Sequence, residues 1–347
     1  MDAQALTVRV CTGLCCGMAG ANELAKALPE LLGGMAPVTL VPCIGRCDEA
    51  PAVLVGKLAL PMATQELVLN LVVAEQMMPA QARGLPDPLM DFLDCEGYRA
   101  EGGYSQLASI AGSAGKCASA LAAIDASGLG CSGGAPLASQ LHALREAGAP
   151  RELGVCVNGT GPAGFRDRQL IERDPHRFLE GLLIAAQMAG AESMTVFLPG
   201  QLELCRAMLQ QEWEELAANP PCTLPGLAFD DGDAPEDSLS CEALFWVRDI
   251  LEKGADWYGG FGRQGCRGLR ALAVAGRVAD PGVKVAPAGI TLHELIEEFC
   301  GGMAEGQHFR AAIAGEATGA VVVLGAADHD GDSAIGETLR DASAVLK

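Results

Sequence analysis

The sequence predicts an α/β protein built from three units, and three observations carry that prediction. Residues 1–78 alternate apolar strands with helically spaced leucines in the order β-α-β-β-α. A run holding Pro79, Pro86 and Pro88 then breaks the pattern, and strands and amphipathic helices resume from about residue 92. Toward the C-terminus a hairpin pattern, a capped helix and two more strand-like runs follow. With about 100–200 residues per domain, the 347-residue chain should hold two or three domains. The expected division is 1–78, a linker at 79–91, then 92–265 and 266–347.

In the first unit Leu6, Val8 and Val10 alternate with polar residues and should form a strand ending at Cys11. A helix is expected over 21–32, with Leu24, Leu28, Leu31 and Leu32 at helical spacing, kinked or shortened by Pro29 and stopped by Gly33-Gly34. Val38–Val41 has the pattern of a buried strand. Ala52–Val55, Gly56-Lys57 and Leu58–Leu60 predict a hairpin, and a helix should run from Thr64 to about Val73.

The chemistry concentrates between Cys11 and Cys47. Cys11-Thr-Gly-Leu-Cys15-Cys16 follows the first strand and Cys43-Ile-Gly-Arg-Cys47 follows the second. Cysteine pairs at two strand ends can bring four thiolates to one point, as a two-iron, two-sulfur cluster requires. Four thiolates also suit zinc, but zinc pairs usually have two intervening residues, and these have four and three. A dithiol redox motif would need Cys-x-x-Cys, which does not occur. The bland alternative is structural cysteines. The other nine (Cys95, Cys117, Cys131, Cys156, Cys205, Cys222, Cys241, Cys266 and Cys300) are scattered singly and are expected to be small buried hydrophobes.

Composition excludes several function classes. Lys and Arg total 24 against 44 Asp and Glu, a net charge of −20 that repels nucleic-acid phosphates. No stretch approaches the roughly 20 apolar residues of a membrane span, and the first residues carry no targeting pattern, so a soluble, cytoplasmic protein is expected. Fourteen cysteines in such a chain point to metal ligands or buried thiols, not disulfides.

The β-α-β-β-α order is thioredoxin-like. Together with Cys-x4-Cys, Cys-x3-Cys and the following Asp48-Glu49-Ala50-Pro51, it resembles the small iron–sulfur subunit of the peripheral arm of respiratory complex I. The same module occurs in NAD-linked formate dehydrogenases and bidirectional hydrogenases, sometimes fused to a flavin subunit. The resemblance implies a [2Fe-2S] cluster on Cys11, Cys16, Cys43 and Cys47. Cys15, beside a ligand, is expected to point elsewhere. Arg46 lies between two ligands and would favour the reduced cluster, while Asp48 and Glu49 would oppose it.

Residues 92–265 resemble the flavin-bearing, NADH-oxidising subunit of the same enzymes. The likeness rests on Tyr98–Tyr104, on Phe165-Arg-Asp-Arg168 with Arg173-Asp-Pro-His-Arg177, and on Gly254-Ala-Asp-Trp257. Strands are expected at Gly154–Val157 and Thr195–Leu198, and a helix capped by Asp174-Pro175 with Phe178, Leu179, Leu182, Leu183 and Ala186 on one face. The family's flavin loop, Gly-Leu-Arg-Gly-Arg-Gly-Gly-Ala-Gly-Phe-Pro, corresponds to Gly128–Ala138. Gly133, Gly134 and Ala135 remain, the two arginines have become Gly130 and Ser132, the aromatic is Leu137, and a later lysine falls on His142. The acidic Asn-Ala-Asp-Glu-Gly-Glu-Pro-Gly has become Asn158-Gly-Thr-Gly-Pro-Ala-Gly164, and Asn-Asn-Val-Glu-Thr-Leu has become Leu239-Ser-Cys-Glu-Ala-Leu244. A vestigial FMN site at Gly133, Gly134, Ala135 and Asn158 is therefore expected, with NADH oxidation lost.

Phe229–Asp237 is an acidic run expected to be a solvated loop. After it, Arg270–Val278 and Val283–Ala286 predict a hairpin, Thr291 with Glu294 a capping box for a helix to Phe299, and Phe309–Ala314 and Ala320–Leu324 two strands. This order resembles the β-grasp domain that follows the flavin domain in complex I. The family's later Cys-x2-Cys-x2-Cys triplet is missing, so its four-iron cluster is expected to be absent. Asp328-His-Asp-Gly-Asp332 lacks a closing calcium-loop frame and should be a solvated turn; the five histidines should be surface or helix-end residues.

The functional expectation is a [2Fe-2S] electron-transfer subunit of a diaphorase-type complex, with an inert flavin-like domain as docking scaffold. Its partners would be a molybdenum or tungsten formate dehydrogenase, a hydrogenase or a complex-I-like enzyme. The alternatives are an active FMN-containing NADH dehydrogenase subunit, or a non-enzymatic redox sensor or assembly factor.

Overall fold

The computed structural model describes residues 6–77, 92–131, 135–148, 151–159, 164–313 and 321–323. The linker prolines and the Asp328–Asp332 run lie outside the described residues. No described helix is long and apolar enough to cross a membrane.

In the first unit β1 (Val8–Cys11) pairs in parallel with β2 (Val38–Val41) and antiparallel with β3 (Val53–Val55), which turns through Gly56-Lys57 into β4 (Leu58–Leu60). The sheet order β2-β1-β3-β4 makes β2 an edge. The expected buried strand is therefore half exposed, with Thr39 and Leu40 in solvent, because only β1 flanks it. Between the strands lie α1 (Leu14–Met18), a single turn, and α2 (Ala21–Leu32). Pro29 does not end α2. Its tertiary packing outweighs the roughly 3 kcal/mol that an interior proline costs, since Leu24, Leu28 and Leu32 are all buried on one face. α3 (Gln65–Met77) runs longer than expected and closes this core with Val68 and Val72.

The second unit opens with α4 (Cys95–Ala100), α5 (Ser105–Ile110), α6 (Ala114–Ser127) and α7 (Leu137–Glu146). β5 (Glu152–Cys156), α8 (Phe165–Arg173), α9 (Pro175–Ala189), β6 (Ser193–Phe197) and α10 (Glu203–Ala218) follow, then β7 (Gly226–Asp230), β8 (Leu239–Ser240), α11 (Cys241–Lys253) and α12 (Ala255–Gly259). The four strands form a parallel sheet in the order β7-β6-β5-β8, as an α/β unit requires. β7 corrects the expectation of a loop from Phe229. The acidic run hides a short period-two pattern in which Leu227 and Phe229 turn inward along an edge strand. Asp174 caps α9 by accepting from the Arg177 N–H at 3.1 Å. Gly181 lets α9 approach α11 closely, since a Cβ there would meet the Leu244 carbonyl. His176 starts α9 as expected but is fully buried. Its ring bonds the Tyr104 hydroxyl at 2.7 Å and Glu212 at 2.8 Å, which makes up for the lost solvation.

In the third unit β9 (Leu269–Val274) and β10 (Gly282–Pro287) form the expected hairpin. Thr291 and Glu294 complete the capping box of α13 (Leu292–Glu294), which continues as a wider π turn over Leu295–Phe299. β11 (Ala311–Ile313) pairs antiparallel with β12 (Val321–Val323). Among the described residues these are two separate two-stranded sheets, not one four-stranded β-grasp sheet.

The three units meet in one small apolar cluster. Cys15, Cys47, Phe165, Ala273 and Ala275 are buried together, with Cys43, Ala50 and Val283 packed on them.

Candidate iron–sulfur centre

β1 delivers Cys11 to the sheet's end, and the next two residues turn back beside β2: Thr12 N–H donates to the Val41 carbonyl at 2.9 Å. A Cβ on Gly13 would sit 3.1 Å from the Cys43 Cβ, so the two cysteine loops are in contact there. α1 then sends its neighbouring cysteines to different sides, because consecutive helical residues diverge by about 100°. Cys16 joins the core of the first unit, whereas Cys15 enters the small cluster between units.

The five thiols gather at one place: the Cys43 and Cys47 sulfurs are 3.4 Å apart, Cys11 and Cys16 share the core of the first unit, and Cys15 and Cys47 share the cluster between units. Cys11 is held far below the usual thiol range, first by the Cys16 bond and then by that from Cys43. Cys16 is raised by the same bond to Cys11 and by burial. Cys47 is raised by its bonds to Cys15 and Cys43 and by burial, while Cys15 is lowered by the Cys47 bond. Two backbone donors point at sulfur: Gly13 N–H to Cys11 and Ala52 N–H to Cys16, both at 3.4 Å. Among the described residues no group of three or more His, Cys, Asp or Glu closes around a single metal-ion position. Cys43 and Cys47, 3.4 Å apart, and Cys11 and Cys16, each taking a backbone N–H, instead fit a two-iron group, where each iron takes two cysteines.

The second unit walls the cysteine loop. Arg168, almost wholly buried, grips both Asp48 oxygens at 2.9 and 3.1 Å, Glu172 at 2.6 Å and the Gly45 carbonyl at 3.2 Å. Gln169 donates to Asp48 and accepts from the Val283 N–H at 3.0 Å, tying all three units together. Arg46 pairs with Glu49 at 2.7 Å and Glu172 at 2.9 Å. Two cations thus face three carboxylates (Asp48, Glu49 and Glu172), and 2 − 3 = −1. Arg46 brings no uncompensated positive charge to the thiols. Burial raises the Asp48 carboxyl, opposed by Arg168. Sequence reasoning missed this clamp, because its partners lie some 120 positions apart; the only signal was the charge-dense start of α8.

The flavin-type loops are arranged differently. Gly133, Gly134 and Thr160–Ala163 lie outside the described residues. Ala135 is exposed, its carbonyl accepting from the Cys131 N–H at 2.7 Å. Leu137, in the place of the stacking aromatic, is buried in the core, and His142 is exposed. The Asn158 N–H is taken by Asp167 at 2.8 Å, and its side-chain oxygen accepts from the Cys156 thiol at 3.6 Å. Glu242, kept from the third motif, accepts from the Ala271 N–H at 2.7 Å and faces Arg166 at 3.6 Å; burial raises its carboxyl.

Comparison with known proteins covers both regions. The thioredoxin-like [2Fe-2S] ferredoxin family matches residues 2–75. An NADH-quinone oxidoreductase subunit of Rhizobium meliloti is 26% identical over 250 residues, which is 58% of this chain and 59% of the relative. The NAD-reducing hydrogenase HoxS subunit alpha of Cupriavidus necator is 24% identical over 326 residues, 76% of this chain and 54% of the relative. The NADP-reducing hydrogenase subunit HndC of Solidesulfovibrio fructosivorans is 26% identical over 231 residues, 54% of this chain and 46% of the relative. The chain spans about half the length of these curated relatives. A solved NAD+-reducing [NiFe]-hydrogenase in its air-oxidized state shares the fold over 100% of this chain and 69% of its own, with a TM-score of 0.74 at 16% identity. Residues 2–75 are thus a thioredoxin-like [2Fe-2S] ferredoxin domain, joined in one chain to a region homologous to subunits of NADH-quinone oxidoreductases and of NAD- and NADP-reducing hydrogenases.

Proposed function

We propose that this chain is the electron-transfer subunit of a cytoplasmic, diaphorase-type oxidoreductase complex. Cys11, Cys16, Cys43 and Cys47 hold its [2Fe-2S] cluster, which supplies one-electron acceptance and donation when bound. The observation that carries the reading is the close approach of the Cys43 and Cys47 sulfurs, 3.4 Å apart, with Cys11 and Cys16 buried in the core of the same domain, whose residues 2–75 match the thioredoxin-like [2Fe-2S] family. Residues 92–265 act as a scaffold whose flavin site is inert, and 266–347 form the remaining domain. Support for inertness comes from the buried Leu137 and the occupied Asn158 N–H. The partners are the catalytic subunits of a hydrogenase, a complex-I-like enzyme or a molybdenum or tungsten formate dehydrogenase.

The protein's own residues have two tasks here. Arg168 and Gln169 fix the Cys43–Cys47 loop against α8, and the apolar cluster around Phe165 keeps water from Cys47. A second reading, an FMN-containing NADH dehydrogenase subunit, is favoured by the names of the relatives, which are NADH- and NAD(P)-linked. The test is anaerobic titration of the purified full chain, followed by its visible and electron paramagnetic resonance spectra. Dithionite should reduce an iron–sulfur chromophore and NADH should not. Reduction by NADH, with a flavin spectrum, would favour the second reading; no iron–sulfur chromophore would refute the first.

A further inference from the structure

We propose that the third unit carries a binding site for a small organic anion, an aromatic body bearing a phosphate or a carboxylate, in a cavity of about 420 Å³. The site is independent of the cluster assignment. The cavity lies between the turn after β9 and the segment leading into β11, and its volume falls in the range of small-molecule sites, about 300–1,000 Å³. Its two walls are joined. Val278 pairs with Met303 in an isolated antiparallel bridge, the Ala304 N–H donates to the Arg277 carbonyl at 3.0 Å, and the Ala279 N–H donates to the Gly302 carbonyl at 2.9 Å. The space between them is therefore preformed. Ile296 is buried against it, and Met303 and Phe309 are half-buried along it. Met18, the last residue of α1, adds an edge from the first unit. Such a lining suits a flat apolar ring.

Charge selects the rest of the ligand. Arg277, His308 and Arg310 are exposed at the rim, and no carboxylate lines the cavity among the described residues, although the chain as a whole carries −20. Arg277 donates to the Gln307 side-chain oxygen at 2.7 Å, which steadies one arm of its guanidinium. Elsewhere Arg46, Arg168 and Arg263 are each answered by carboxylates; among the described residues Arg277 and Arg310 are not. Guanidinium forks match the planar oxygens of carboxylates and the oxygens of phosphates, and a histidine ring adds a further N–H donor. The complement of this cavity is a molecule apolar at one end and anionic at the other.

Isothermal titration of the full chain tests this with four probes: naphthyl phosphate, naphthoate, the uncharged naphthalenemethanol and inorganic phosphate. One or both aryl anions should bind saturably at one site per chain, and more tightly than the uncharged aryl alcohol or inorganic phosphate. A preference between the two anions would tell a phosphate ligand from a carboxylate one. The double variant Arg277→Gln/Arg310→Gln should bind the aryl anions about tenfold more weakly and the alcohol as before. Phe309→Ala should weaken all three aryl probes, and Arg145→Gln, on α7 and outside the cavity, should change none. The proposal would be overturned by the absence of saturable binding of either aryl anion, or by unaltered anion binding in the double arginine variant. Equal loss in Arg145→Gln, which would make the attraction one of overall charge, would also overturn it, as would inorganic phosphate binding as tightly as the aryl anions.

Discussion

The cysteine loops and the flavin-type loops begin from similar material: glycines and small polar groups between regular elements. What separates them is where their polar atoms point. Around Cys11–Cys47 the sulfurs face one another, and the backbone donors near them aim at sulfur. Around 128–138 and 156–159 the described groups are satisfied within the protein. Ala135 is bonded to Cys131, Asn158 to Asp167 and Cys156, and Leu137 is packed into the core. The two regions touch at Gly45, which has φ +71° and whose missing Cβ would lie 2.5 Å from the Gly159 carbonyl. One glycine loop has become the wall of the other.

That contrast can be broken in several places. Cys16→Ser should have the largest effect, abolishing or strongly altering the cluster's visible and paramagnetic spectra; an unaltered spectrum would remove Cys16 from the ligand set. Arg168→Met comes next, because it leaves Asp48, Glu49 and Glu172 short of a buried cation. Breaking such a network costs about 3–5 kcal/mol, measurable as a lower urea midpoint, and should loosen the cysteine loop enough to speed iron loss to a chelator. Gly45→Ala forces a side chain into the left-handed region and against Gly159, and about 2–3 kcal/mol of destabilisation is expected. Leu137→Phe restores the aromatic of the flavin motif, but into a filled core. About 1–2 kcal/mol of overpacking cost is expected, with no gain in flavin on reconstitution; an FMN-loaded variant would show that the loop is still a site.

Much of this was legible from the sequence, and for physical reasons. Strand alternation at Val8 and Val10, the glycine stop after Leu32 and the Thr291–Glu294 box are local signals, and the structure has each of them. Cys43 and Cys47, paired by their spacing after the second strand, do lie with their sulfurs 3.4 Å apart. Features set by distant partners were not legible. Whether Val38–Val41 is central or an edge depends on sheet order, and His176 is buried because Tyr104 and Glu212 receive its two nitrogens. Cys15 shows the boundary between the two cases. Its divergence from Cys16 follows from helix geometry, but its arrival at Cys47 depends on how α1 faces the Cys43–Cys47 turn.

The central claim is that one redox centre sits on the cysteine loops and none on the flavin-type loops. Iron, acid-labile sulfide and extracted flavin, quantified on the same anaerobic preparation of the full chain, test it most directly. The account predicts two irons and two sulfides per chain without flavin. Flavin in amounts matching the chain, or a chain without iron, would contradict it.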